Sequence, residues 1–195
     1  MGLTSSVSGN HSIRIQGKKW MWITPSGVPR YNLQEKDLVK VRLETHRTVS
    51  RSNSSNSDST KLKPSIEWRM HASIYNKLSS VNAVVHTHSP YTLAIAISVN
   101  GFQHIVEEAK IVVGNPVKIS NKPSGSLELA NIVSNAFFEG KDKQEEQVRA
   151  VIIRNHGVVS IGNNIYQARA VIESLEEWAK IYTISKIFGR PKYVL

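Results

Sequence analysis

The sequence contains no cysteine. That excludes disulfides, thiolate metal sites and a cysteine nucleophile, and leaves His, Asp and Glu to hold any metal ion. Long apolar runs are missing as well. The longest, around Leu93–Val99, falls far short of the about 20 residues that span a bilayer. No basic stretch followed by an apolar one opens the chain, so no secretory signal is expected. These absences point to a cytoplasmic protein with no membrane partner. Met1-Gly2-Leu3-Thr4-Ser5-Ser6 fits a myristoylation pattern only formally, because so short a pattern recurs by chance. Acidic residues are scarce, with 15 Asp+Glu against 25 Lys+Arg and a net charge of +10 over 195 residues. The excess lies at the front: residues 1–66 carry 11 basic and 4 acidic side chains, and residues 67–195 carry 14 and 11. The basic residues are scattered, without a long Lys/Arg run or regular interleaving with aromatics, which argues against nucleic acid as the main partner. An anionic small substrate suits such a chain equally well. At 40% hydrophobic and 21% charged residues the composition is globular.

Local pattern gives a mixed architecture. Ser12–Ile15 and Trp20–Ile23 alternate as short strands about a Gly17-Lys18-Lys19 turn, and Leu38–Leu43 is a third strand. Ser50–Thr60 is Ser/Asn-rich and reads as a flexible loop. Ser65 is expected to cap a helix on which Ile66, Met70, Ile74 and Leu78 form the apolar face. Ala83–His88 is a buried strand, Tyr91–Val99 a short helix, and Ile111–Val113 and Val117–Ile119 short strands. A helix over Leu127–Phe138, strands at Ala150–Ile153 and Val158–Ile161, and a long helix capped by Asn164 and running through Ile187 complete the reading. Hairpin-joined strands with interspersed helices make the fold class α/β (α+β), a single domain over 1–195 with a mostly antiparallel sheet.

His86-Thr87-His88 is the sharpest chemical signal. Residues i and i+2 of a strand share a face, so both imidazoles can grip one ion at the strand's end. His156 also follows a buried strand and precedes Gly157, whose small size lets the backbone turn. Three neutral imidazoles suit Zn²⁺ or another borderline divalent ion and leave positions open for substrate. Glu67, in a helix's opening turn, is the leading carboxylate, as ligand or as general base. His71 falls one turn further along and reads as a surface residue or as a partner to Glu67. His11, His46 and His104 have no companion pattern.

Four segments together resemble the class II aldolase/adducin family, and within it the metal-dependent sugar-phosphate aldolases. They are Ser8-Gly9-Asn10-His11-Ser12-Ile13-Arg14; Ile23-Thr24-Pro25-Ser26-Gly27; Pro64-Ser65-Ile66-Glu67-Trp68-Arg69 with the following His86-Thr87-His88; and Asn155-His156-Gly157. Their order and spacing agree with the family from about Leu3 to about Phe188, with further likeness in Gly125–Ala130 and the last helix. The resemblance implies a three-layer α/β/α fold around a central antiparallel sheet. It implies Zn²⁺ (or Mn²⁺ or Co²⁺) on His86, His88 and His156, with Glu67 alternating between ligand and acid/base. Gly9, Asn10, Ser26, Gly27 and Ser65 would hold the substrate phosphate. The implied assembly is a homotetramer with active sites at subunit interfaces. The implied reaction cleaves a phosphorylated ketose, such as L-fuculose 1-phosphate, into dihydroxyacetone phosphate and an aldehyde through a metal-stabilised enediolate.

The chain departs from the family pattern in five places. The family has a helix before Ser8-Gly9-Asn10, where this sequence offers only a few residues, so either the start lies further upstream or that helix is lost. Ser65-Ile66 stands where two serines are usual. His11 replaces an aliphatic residue. The tyrosine acid that such aldolases take from a neighbouring subunit corresponds, by ungapped counting from His88, to Glu107, with Glu108 beside it. The tail after the last helix is short. Sugar-phosphate epimerases and dehydratases share the scaffold, and adducin-like heads keep the fold without metal. Glu67 where the epimerases place Asp, together with all three histidines, favours the aldolase.

Overall fold

The computed structural model describes residues 2–3, 5–44, 62–100, 103–139, 148–189 and 192–195. The loop expected at 50–60 and His46 lie outside them. β1 (Asn10–Ile13) and β2 (Trp20–Ile23) form the expected hairpin, with Gly17 at φ +76° in its turn. β1 starts earlier than its alternation suggests because it also pairs with β4 (Ala83–Thr87), from Asn10 opposite His86 to Ile13 opposite Ala83. With β3 (Val39–Arg42), β5 (Val117–Ile119), β6 (Ala150–Ile153) and β7 (Gly157–Gly162) the sheet runs in the order β3-β2-β1-β4-β7-β6-β5. Among the described residues only β5 and β6 pair in parallel.

Helices cover both faces, giving the three layers expected. α1 (Trp68–Lys77) and α4 (Leu127–Glu139) pack on one side, where Met70, Ile74, Leu129 and Val133 meet Val84, Val151 and Val159. α2 (Pro90–Ser98), α3 (Glu107–Val113) and α5 (Ile165–Ser185) lie on the other, where Ala109, Ile172, Leu175 and Trp178 meet Ala83, Val85, Ile152 and Val158. β4 and β6 are buried on both faces, which is why their sequences are almost continuously apolar. Among the described residues no helix is long and apolar enough to cross a membrane.

Two local expectations are corrected. Ile111–Val113 is the end of α3, not a strand. Ala109 and Val113, four apart, seat it against the core, and that packing outweighs the β-propensity of a branched run. α1 begins at Trp68, not at Ser65. Ser65 N–H donates to Thr24 O, so its backbone belongs to the loop, and Ile66 is 59% exposed instead of joining the apolar face. Glu67 is therefore the N-cap of α1. Asn164 caps α5 as expected, accepting from Gln167 N at 2.9 Å.

Candidate metal centre

Two strand ends and one helix start meet at a single point. His86 is near the end of β4 and His88 just beyond it, on the face that carries Val84 into the α1 layer. Arg154-Asn155-His156 turns the chain from β6 into β7, with Asn155 at φ 58°, a left-handed conformation that Asn tolerates better than most residues. Gly157 must be small: a Cβ there would lie 2.5 Å from Thr87 O and 2.6 Å from His86 Cε1. The three imidazole rings form a triangle with centroids 5.0, 5.0 and 5.4 Å apart. One ligand atom from each of His86, His88 and His156 falls within 4.8 Å of the others.

Glu67 faces this triangle from the start of α1 and is 4% exposed. Its Oε1 is 3.1 Å from His156 Nε2 and its Oε2 3.1 Å from His86 Nε2. Burial by itself pushes the Glu67 carboxyl up. The neighbouring His156 and His86 and the Asn10 amide outweigh that and hold it well below the usual carboxylate range. His88 is lowered to about 4 by burial and by the other two imidazoles, so its ring is neutral at pH 7 and can offer a lone pair.

The donor set fits a divalent ion. His86 Nδ1 lies 2.9 Å from Val158 O, and a carbonyl only accepts, so that nitrogen carries the hydrogen. The His86 Nε2 lone pair then points at Glu67 Oε2 and at His88 Nε2, 3.2 Å away. A carboxylate oxygen and imidazole nitrogens this close need a shared proton or a metal cation among them. The bond to Val158 O is also the outer contact that fixes a ligating imidazole. Glu67 Oε1 and His156 Nδ1 are buried with no hydrogen-bond partner, so the carboxylate has unspent capacity. Neutral nitrogen plus one carboxylate is a borderline-ion site.

A cavity of about 290 Å³ opens beside this point. Gly9, Asn10, Ser26, Gly27 and Ser65 all line it, together with Glu67, His88 and His156. Gly9 and His156, 147 positions apart, thus share one pocket. A larger cavity, about 380 Å³ between Ile111, Arg149 and Gln167, contains no His, Asp or Glu.

One placement differs from what the sequence suggested. His71 is fully buried, not on the surface, and bonds Asn10 and Ser12. Asn10 lines the pocket, yet its amide already donates to Glu67 Oε2 at 2.8 Å and accepts from His71. Glu107 and Glu108 open α3 on the far layer, exposed and outside this pocket, so Glu107 could reach a site only from another copy.

Arg30 and Ser124 also line the cavity, and sequence reasoning passed over both. The Arg30 guanidinium donates to the carbonyls of Val7, Gly9, Pro25 and Val28, tying the two small-residue loops together. Ser124 precedes Gly125, which has φ +74° and where an added Cβ would lie 2.7 Å from Ile66 O, so that turn packs tightly against the Glu67 loop. Neither contact leaves a trace in local pattern. His11 is lowered to about 4 by burial, by Arg30 and by His86, which keeps it neutral beside the site.

Comparison with known proteins gives a consistent result. Residues 1–183 match the family described as Class II Aldolase and Adducin N-terminal domain. The chain is 32% identical over 182 residues to an L-fuculose phosphate aldolase of Methanococcus maripaludis, covering 93% of this chain and 89% of that protein. It is 34% identical over 192 residues to a 5-deoxy-D-ribulose 1-phosphate aldolase of Bacillus thuringiensis, covering 98% and 81%. A solved L-fuculose 1-phosphate aldolase superposes with a TM-score of 0.78 at 29% identity, covering 100% of this chain and 82% of that one.

Proposed function

This chain belongs to the class II aldolase/adducin family, and on that footing we propose that it is a zinc-dependent aldolase. Its substrate would be a phosphorylated ketose, of the kind named by L-fuculose 1-phosphate or 5-deoxyribulose 1-phosphate, cleaved to dihydroxyacetone phosphate and an aldehyde in the cytoplasm. The observation that carries the reading is Glu67 held 3.1 Å from two of three convergent imidazoles at the mouth of the pocket.

His86, His88 and His156 would hold Zn²⁺, or Mn²⁺ or Co²⁺ in its place. A bound divalent ion supplies Lewis-acid stabilisation of the negative charge that gathers on the ketose oxygens as the carbon–carbon bond breaks. The chain's own residues do the rest. Gly9, Ser26, Gly27 and Ser65 receive the phosphate on small residues and hydroxyls, with Arg30 behind them fixing the loops. Asn10 Nδ2 spends one hydrogen on Glu67 and keeps the other for substrate. Glu67, buried and ionised at rest, takes up a proton from water and delivers it to the carbon that loses the aldehyde; in the condensation direction the carboxylate withdraws that proton and returns it to water. The aldehyde oxygen exchanges its proton with a second group, for which Glu107 of a neighbouring subunit in a homotetramer is the candidate.

Purified protein stripped by chelator should lose activity on a ketose-phosphate panel and recover it with Zn²⁺, Mn²⁺ or Co²⁺. Dihydroxyacetone phosphate is the expected product. An epimeric sugar or a dehydrated ketone instead would assign the same site to an epimerase or a dehydratase, and a protein that takes up no metal would be an adducin-like module. Glu67→Gln should keep the fold and lose turnover.

A further inference from the structure

Behind Glu67 a line of buried polar groups runs back into the α1 layer. Asn10 Nδ2 is 2.8 Å from Glu67 Oε2, His71 Nε2 is 2.6 Å from Asn10 Oδ1, and Ser12 Oγ is 2.6 Å from His71 Nδ1. The Tyr75 hydroxyl closes the line, 2.8 Å from Ser12 Oγ and 3.0 Å from Ser12 O. Asn10 and Ser12 are two apart on β1 and so share its face, while His71 and Tyr75 are four apart on α1 and face them. All five residues are buried, with His71 at 0% exposure. A core this dry would be served as well by apolar side chains, so a polar line that ends on the carboxylate calls for a reason.

Its polarity is fixed link by link. An ionised carboxylate only accepts, so Asn10 turns its NH₂ toward Glu67 and its oxygen toward His71. His71 must therefore carry its hydrogen on Nε2. His71 Nδ1 is left as an acceptor, so Ser12 Oγ donates to it, while Tyr75 donates its one hydrogen to the Ser12 carbonyl. From Ser12 through His71 to Asn10 each donor points toward Glu67. The reversed line would place Asn10 Oδ1 against Glu67 Oε2 at 2.8 Å, two acceptors with nothing between them. Burial, with His86 nearby, lowers His71 to about 3, so the ring is neutral and can hold one tautomer only.

We propose that His71 is a positioning residue for Glu67: its Nε2–H locks the Asn10 amide in the one orientation that donates to Glu67 Oε2, which keeps the carboxylate aimed at the site. The inference rests on Glu67 acting as the proton-transfer group. It assigns His71 no contact with substrate or metal.

The test has two arms. A long-range ¹H–¹⁵N spectrum of histidine-labelled protein, with the His71 signals assigned by their loss in His71→Gln, should show a neutral Nε2–H tautomer at pH 7, with and without zinc. An Nδ1–H tautomer or an imidazolium overturns the proposal. In the kinetic arm, His71→Leu frees the Asn10 amide to flip and should lower kcat by about ten- to a hundredfold, the effect of one buried polar group losing its partner. Bound zinc per chain should stay within about twofold, because the histidine ligands are untouched. His71→Gln can set a side-chain N–H where the imidazole had one and should keep kcat within about threefold of the parent. Unchanged kcat in His71→Leu, zinc lost in step with kcat, or a more than tenfold loss in His71→Gln each overturn the proposal. If His71→Leu does not fold, the Gln variant and the tautomer decide. If the parent cleaves no ketose phosphate, the proposed function fails and the tautomer alone decides the orientation of the line.

Discussion

Gly157→Ala probes the metal centre without touching a ligand. Gly157 pairs with Ile153 across β6 and β7, and the carbonyl of Thr87 and the rings of His86 and His88 close around it. An added Cβ would meet Thr87 O at 2.5 Å, His86 Cε1 at 2.6 Å and His88 Cδ2 at 3.0 Å. Ordinary van der Waals contact begins near 3.4 Å, so the first two contacts are short by about 0.9 and 0.8 Å. Thr87 O is backbone at the end of β4, where Thr87 is paired with Val158 of β7, and cannot yield that far, which leaves the imidazoles to move. Metal ligation tolerates errors of roughly 0.2 Å, so a ring displaced by several times that no longer ligates well. Zinc affinity should fall by about a hundredfold or more, beyond the ten- to hundredfold cost of disturbing a ligand's outer contacts. The metal-free protein should lose about 1–3 kcal/mol to overpacking. At this chain length that lowers the thermal midpoint by roughly 3–10 °C. Competition with a chromophoric chelator reads the first effect, and a thermal melt in chelator reads the second. Gly17→Ala is the control. Its site has φ +76° and nothing within 4 Å, so the left-handed backbone should cost about 1–2 kcal/mol and leave zinc binding unchanged. A Gly157→Ala protein with parental zinc affinity and parental midpoint would refute the argument that close approach dictates glycine here.

Other perturbations separate the remaining parts. Arg30→Met removes the donor shared by the carbonyls of Val7, Gly9, Pro25 and Val28, and should raise KM for the ketose phosphate by about tenfold while kcat changes little; an unchanged KM would show that the loops hold themselves. Glu176→Ala strands the N–H groups of Tyr91 and Thr92 at the start of α2, and should destabilise the fold by about 1–3 kcal/mol, read as a lower thermal midpoint at undiminished zinc binding. Acid should destabilise the metal-free protein. His11 and His71 stand near 4 and 3 in the fold against 6.5 in the open chain, so below pH 6.5 the unfolded state binds more protons and stability falls with pH. His71 by itself should contribute about 2 kcal/mol of that loss between pH 7 and 5; a urea midpoint that is flat over this range would contradict its burial.

Much of this protein was readable residue by residue. The three histidines and Glu67 stand out because ligand-type side chains at the ends of buried strands and in a helix's first turn are conspicuous in local pattern, whereas the loops at Gly9, Ser26 and Ser65 came only with the family resemblance. The elements read correctly are those whose periodicity matches their burial, such as β4, β6 and α5. The misread ones are segments where packing overruled propensity: a branched run, Ile111–Val113, wound into α3, and an apolar Ile66 left at the surface.

Sequence alone determined which chemistry is available. With no cysteine, imidazole and carboxylate are the groups left to hold a metal ion, and a basic N-terminal third carries most of the loops proposed to take the phosphate. Only the tertiary structure decided how those groups act on one another. The sheet order sets β1 between β2 and β4, which brings Asn10 to Glu67 and buries His71 behind it. The β6–β7 turn brings His156 to within 3.1 Å of a residue 89 positions earlier in the chain. Arg30 joins loops that no periodicity connects. Such contacts depend on strand order and close packing, quantities that belong to the whole fold and have no signature in any short stretch of the chain.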